Sequence, residues 1–305
     1  MLQRDAFIEE ITKKLEQTKN IYFLIADFGA AALDDLRERF PNYFLHCGIS
    51  EQAMLDLAAG LALEGNQVFV YAMAPFLSLR AIEQTKCGAG LMNLPICLIS
   101  VGIGLGYADS GPTHYSTEDF ACFRAIVGSS IYTPADIPSA KLIAKDILKH
   151  PKFSYIRLDR DNLPKISPEI TSDDFNKGFR IFGNINDKKI ALMSHGRMLH
   201  KCLEIYNKDP NRFFCVDIFR SKPFPNNLTN TVSPCKGIVV VDEQSPSGNL
   251  SSCIFEGFSN QDYFPKIISR SLPERYIFEN GGRDYLLNKF GLSNDDIITA
   301  VNKII

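Results

Sequence analysis

Short apolar runs recur along this chain at the spacing of strands alternating with helices: Ile21–Ala26, Gln67–Met73, Pro95–Val101 and Phe153–Leu158. Several are apolar at consecutive rather than alternate positions, a pattern suited to a strand covered on both faces. Helical periodicity fills the gaps over 3–18, 31–39, the Ala-rich segment after Ser50, Phe76 to about Leu91, and Ile137–Lys149. Lesser signals place strands at Tyr43–Leu45 and near Ile131, and a helix start near Thr117. The rhythm predicts an α/β fold, a doubly wound parallel sheet with helices on both faces.

The rhythm breaks between Arg160 and Lys177, where Pro164, Pro168 and a cluster of Asp, Asn and Ser leave little periodicity. It resumes with strands at Lys189–Ser194, Phe213–Ile218, Gly237–Val241 and Lys266–Ser269, and helices at Met198–Lys208, near 248–258 and at Asn294–Ile305. Two domains are therefore expected, 1–165 and 179–305, joined by a linker at 166–178. A length of 305 residues is enough for two cores.

A net charge of −2 offers no basic excess for nucleic acid or an anionic membrane. No apolar run approaches the roughly 18 residues of a membrane span. The first ten residues are charged and amphipathic rather than signal-like, so a cytoplasmic protein is expected. The eight cysteines form no Cys-x-x-Cys pair, and most sit in apolar surroundings such as Ile96-Cys97-Leu98. Buried free thiols are the expectation, and no metal ligand is assigned among them.

The stretch Asn42-Tyr43-Phe44-Leu45-His46-Cys47-Gly48-Ile49-Ser50-Glu51-Gln52-Ala53-Met54 runs from apolar residues through a glycine into a helix start. Ser50 is suited to the N-cap, and the Ala/Gly-rich helix beyond it is expected to be largely buried. Glu51 is then an acid at the mouth of a buried helix. On its own it reads equally as a first-turn carboxylate favoured by the helix dipole. The run Gly48-Ile49-Ser50-Glu51-Gln52-Ala53-Met54, however, resembles the signature of the pyrimidine-binding domain of transketolases and their thiamine diphosphate relatives. That resemblance implies that Glu51 hydrogen-bonds N1′ of the cofactor's aminopyrimidine and exchanges the proton that activates it. It also places Ile49 and Asp27, at the close of the first strand, on the cofactor.

Three more stretches carry the resemblance. Gly111-Pro112-Thr113-His114 is similar to the Asp-Gly-Pro-Thr-His loop of transketolases and deoxyxylulose phosphate synthase, which implies that His114 contacts donor oxygens and moves protons. The family Asp before the glycine is Ser110 here, with an acid one place earlier at Asp109. Both are candidate donor-reading positions, and an altered hydroxyl reader changes selectivity steeply. Phe76-Leu77-Ser78-Leu79-Arg80-Ala81-Ile82 is similar to the segment walling the pyrimidine. Phe76 matches a family aromatic, while Leu79 and Ile82 replace residues that are often aromatic and serve equally well as helix packing. Arg160, in Asp159-Arg160-Asp161-Asn162-Leu163-Pro164, matches an Arg that binds the sugar phosphate. The family's second phosphate ligand, a His, is replaced at or near Gly102.

The second domain resembles the transketolase C-terminal domain, in Ala191–Gly196, Phe214–Ile218 and Val240–Glu243, and receives no catalytic assignment. The Gly-Asp-Gly…Asn motif that holds diphosphate and metal has no counterpart in the sequence. The resemblance thus implies one subunit of a split, two-component transketolase. A partner subunit would carry the diphosphate-binding domain and most of the Mg²⁺ or Ca²⁺ coordination, within a heterotetramer. The alternatives are a β-type subunit of a 2-oxo-acid dehydrogenase, a deoxyxylulose phosphate synthase-like enzyme, or a catalytically silent scaffold that kept the fold.

Overall fold

A computed structural model of the chain describes residues 1–259, 261 and 264–304. It divides into two units: Met1–Ile103 with Cys122–Ser167, and Gly104–Ala121 with Pro168 onward. Residues 104–121, expected within the first domain, thus belong to the second unit.

The first unit opens with α1 (Gln3–Leu15), β1 (Ile21–Ile25), α2 (Ala32–Arg39), β2 (Phe44–His46), α3 (Glu51–Leu63) and β3 (Gln67–Met73). The stretch expected as one helix over Phe76–Leu91 is instead broken into π-helical Phe76–Arg80, a single turn α4 (Ile82–Gln84) and π-helical Thr85–Leu91. Close packing accompanies the irregular winding: a Cβ on Gly88 would lie 3.1 Å from the Ala59 methyl of α3. β4 (Ile96–Val101), α5 (Asp119–Ala125, in this unit from Cys122), β5 (Ser130–Tyr132), α6 (Ile137–Lys149) and β6 (Ser154–Leu158) follow.

The strands of this unit run β5-β6-β4-β3-β1-β2, and every neighbouring pair is parallel. β4 is buried along its whole length, and its one polar residue, Ser100, donates its hydroxyl to the Ile156 carbonyl at 2.9 Å. From β1 the chain steps outward to β2, then returns to the other side of β1 as β3. Strand order therefore reverses at β1, and the crevice beyond the carboxyl ends of such strands is where open α/β sheets bind ligands.

α3 departs from its expected burial. Glu51, Met54, Leu55, Ala58, Ala59 and Ala62 are buried, whereas Leu57 and Leu63 on the opposite face are 44% and 62% exposed. Ser50 occupies the N-cap position but makes no side-chain cap, because its hydroxyl donates to the Cys47 carbonyl.

In the second unit α7 (Ser172–Lys177) lies in the expected linker, capped by Thr171 and ended by Gly178 in the left-handed region. Then come β7 (Arg180–Phe182), β8 (Ile190–Ser194), α8 (Arg197–Lys208), β9 (Phe213–Asp217), β10 (Arg220–Lys222), α9 (Leu228–Val232) and β11 (Gly237–Val241). α10 (Leu250–Phe258), β12 (Ile267–Arg270), α11 (Arg283–Lys289) and α12 (Asn294–Asn302) complete it. The terminal helix expected to reach Ile305 ends at Asn302, and Ile305 itself lies outside the described residues.

The sheet order is β12-β11-β8-β9-β7, with β7 alone antiparallel to its neighbour. Its buried polar pairs are fully enclosed: Arg180 Nε donates to Asp217 Oδ2 at 2.9 Å, and His195 Nε2 lies 3.1 Å from Asp242 Oδ1. Cys97, Cys202, Cys215, Cys235 and Cys253 are buried free thiols, and Cys87 is exposed. No described helix is long and apolar enough to cross a membrane.

Candidate active site

Three strand ends of the first unit converge on one pocket of about 240 Å³. Ala26, Asp27 and Phe28 follow β1, Ile49 and Glu51 follow β2, and Met73, Phe76 and Arg80 lie at and beyond the end of β3. This is the crevice where strand order reverses. Phe28 is fixed as a wall by stacking on Tyr71, with ring centroids 5.4 Å apart.

Glu51 is the chemical centre of the pocket. It stands in the first turn of α3, where the helix dipole favours a negative charge, yet it is only 2% exposed. Arg80 Nη1 donates to its Oε2 at 2.6 Å, and the guanidinium carbon lies 4.4 Å from the centre of the Phe76 ring. One cation thus touches both the buried acid and the aromatic wall, while remaining 40% exposed itself.

Arg80 is not among the residues the motifs single out. A usable signal is present, since Phe76 and Arg80 are four residues apart and adjacent on any helix-like winding. Phe28 and Met73 are further additions. Both simply follow or close strands whose ends are expected to converge.

The pocket brings together Asp27, Ile49, Glu51 and Phe76. Leu79 and Ile82 are not part of its lining; Leu79 is 46% exposed and Ile82 half-buried. Asp27 is largely exposed, with its carboxylate 3.8 Å from His46 Nε2. Ile49 is 75% exposed. Arg160 follows β6 and is half-buried. Nearby Arg157 is fully buried, donating to Thr133 Oγ1 at 3.1 Å, and acts as a strut of the sheet.

Asp109, Ser110 and His114 lie on a loop of the second unit. Asp109 and Ser110 are exposed and 3.5 Å apart through Oδ1 and Oγ. His114 is half-buried, with its Nδ1 2.9 Å from Thr113 Oγ1. Tyr115 is buried beneath them and donates to the Ala108 carbonyl at 3.2 Å. Burial raises the pKa of its hydroxyl, with the charges of Asp109 and Glu279 adding to the effect.

The fold and pocket define a two-unit α/β protein whose first unit holds a buried acid, backed by a cation, at a switch-point crevice. Residues 2–165 match the family described as transketolase, pyrimidine binding domain, and the chain belongs to that family. It is 25% identical to an apulose-4-phosphate transketolase subunit of Phocaeicola vulgatus, over 96% of this chain and 94% of that one. It is 28% identical to the 1-deoxy-D-xylulose-5-phosphate synthase of Nitrosomonas europaea, over 87% of this chain but only 42% of that longer protein. Among solved structures it resembles a split gene transketolase, described as an inactive β4 tetramer, at 26% identity and a TM-score of 0.86. That alignment covers 100% of this chain and 98% of the other.

Proposed function

We propose that this chain is the pyrimidine-binding and C-terminal subunit of a two-component, thiamine diphosphate-dependent transketolase. It would move a two-carbon ketol unit from a ketose donor to an aldehyde sugar. The observation that carries this reading is the Glu51 carboxylate, 2% exposed on the wall of a pocket that also offers Phe28, Met73 and Phe76. A buried acid against aromatic and apolar surface fits a flat, weakly basic aminopyrimidine. The near end-to-end match to a relative that is itself one subunit of a transketolase supports a chain that works with a separate diphosphate-binding partner.

In this reading Glu51 holds and exchanges a proton at N1′ of the pyrimidine, and Phe76 with Phe28 confines the ring. The cofactor, when bound, supplies the carbon nucleophile that accepts the ketol unit. Arg80 already engages Glu51 Oε2, so Glu51 would hold N1′ through its other carboxylate oxygen, or through Oε2 once Arg80 has withdrawn. His114 handles donor oxygens, Asp109 and Ser110 contribute to reading the donor, and Arg160 binds an anionic sugar. Mg²⁺ and the diphosphate are held mainly by the partner, in a heterotetramer.

The test is reconstitution. The purified chain alone transfers no ketol unit; adding the partner subunit, Mg²⁺ and thiamine diphosphate restores transfer, and Glu51→Gln abolishes it. Full activity of that variant would exclude the role given to Glu51. Assaying pyruvate decarboxylation beside ketol transfer separates this reading from a 2-oxo-acid dehydrogenase or deoxyxylulose phosphate synthase.

A further inference from the structure

The loop that carries Asp109, Ser110 and His114 is closed at its neck by paired hydrogen bonds. Gly104 N donates to the Ser116 carbonyl and Ser116 N to the Gly104 carbonyl, each at 2.9 Å. Both sides of that neck are gripped by three consecutive residues beyond β11. Glu243 Oε1 accepts from Leu105 N at 3.1 Å, Gln244 Nε2 donates to the Ser116 carbonyl at 2.8 Å, and Ser245 N donates to the Thr117 carbonyl at 2.9 Å.

Glu243 is itself held by Arg283 at the start of α11, through Nε to Oε1 at 2.8 Å and Nη2 to Oε2 at 2.7 Å. Both side chains are buried, at 7% and 6% exposure, so this is a forked ion pair of fixed geometry rather than a surface contact. Gly104 completes the fit. At φ +59°, a Cβ there would stand 2.8 Å from Cγ, Cδ and Oε2 of Glu243, so the loop backbone presses directly on the carboxylate.

We propose that Glu243, oriented by Arg283, is a positioning residue for substrate recognition: the C-terminal unit sets where the His114 loop stands. The proposal rests on the transketolase reading above. It assigns the segment just beyond β11 a part in donor binding. A buried charged pair is costly to build without a return in either stability or geometry. Here one carboxylate oxygen is shared between the arginine and the loop amide, so the geometry of the pair is transmitted to the loop. Small displacements of substrate-positioning groups cost large factors in rate.

The variants are Glu243→Gln, which places an amide nitrogen against Arg283 Nη2, and Arg283→Lys, which keeps the charge but loses the fork. Gln244→Leu, removing only the bond to Ser116, is a milder third. In the reconstituted enzyme the expected result is a donor KM raised about tenfold or more, with kcat reduced less and the thiamine diphosphate Kd within about twofold of the parent. Hydrogen exchange on the full chain should show faster exchange at Leu105 and across 104–116, with α3 unchanged. Folded variants with parental donor KM and parental loop exchange would overturn the proposal, as would equal losses in donor KM and cofactor Kd. If the unsubstituted pair transfers no ketol unit, the transketolase reading fails instead. Faster exchange at Leu105 in Arg283→Lys would then still demonstrate the clamp.

Discussion

Each unit buries an acid against an arginine, but the two arrangements differ in who can reach the cation. In the first unit Glu51 is 3% exposed at its side chain while Arg80 is 40% exposed, and the pair faces a pocket. In the second, Arg180–Asp217 is exposed at only 3% and 0% and Arg283–Glu243 at 6% and 7%, so both partners are sealed. A buried carboxylate whose counter-ion touches water can change partners at modest cost. One whose counter-ion is also buried cannot. The first kind is suited to receiving a ligand, the second to fixing geometry.

That contrast breaks or sharpens at particular substitutions. The largest effect is expected at Glu51, where Gln retains an acceptor for Arg80 but loses the exchangeable acid. Ketol transfer by the reconstituted enzyme should fall by about 10²–10⁴-fold with little change in thermal midpoint. Next is Arg180→Met, which removes the guanidinium from the buried Asp217 carboxylate. Chemical denaturation should show a loss of about 3–5 kcal/mol confined to the second unit.

A smaller effect separates the units by pH. Burial raises the thiol pKa of Cys202 and Cys215 in the second unit, and of Cys97 in the first, far above the ordinary value of 9.0. Thiols that stay neutral in the fold but ionise when unfolded leave stability intact below about pH 9, and erode it as the pH rises further. Melting curves between pH 8 and 10 should therefore show the second unit losing more than the first. Smallest is Arg80→Met. The Glu51 carboxylate it leaves lines a pocket of about 240 Å³ with room for water, so the stability loss should stay below the roughly 3–5 kcal/mol of stranding a sealed charge. A loss as large as that of Arg180→Met would erase the distinction between the two pairs.

Much of the fold was legible from sequence because buried parallel strands advertise themselves. β3 and β4 follow their apolar runs, and α6 and α8 follow their periodicities. Short pieces were not legible. β7 is a three-residue antiparallel strand at one end of its sheet's order, and α11 is seven residues long and meets, through Arg283, a residue 40 positions earlier. The same reason hid the tie of Leu105 to Glu243 across 138 residues. Local pattern reports which residues are buried, but not which distant side chain will accept their hydrogen bonds. Of the pocket, Asp27, Ile49, Glu51 and Phe76 were visible through their motifs. Arg80 was not, because its importance lies in what it touches rather than in the residues beside it.

The half-wet position of Arg80 also makes one unit responsive to its medium in a way the other is not. Mobile ions screen charges over about 8 Å at physiological ionic strength, and they reach an arginine in a cleft far more readily than one inside a core. Raising the salt concentration should therefore loosen the hold on Glu51 while leaving the grip on Asp217 and Glu243 untouched. Occupancy of the crevice would then depend on electrolyte, and the standing of the second unit's interior would not.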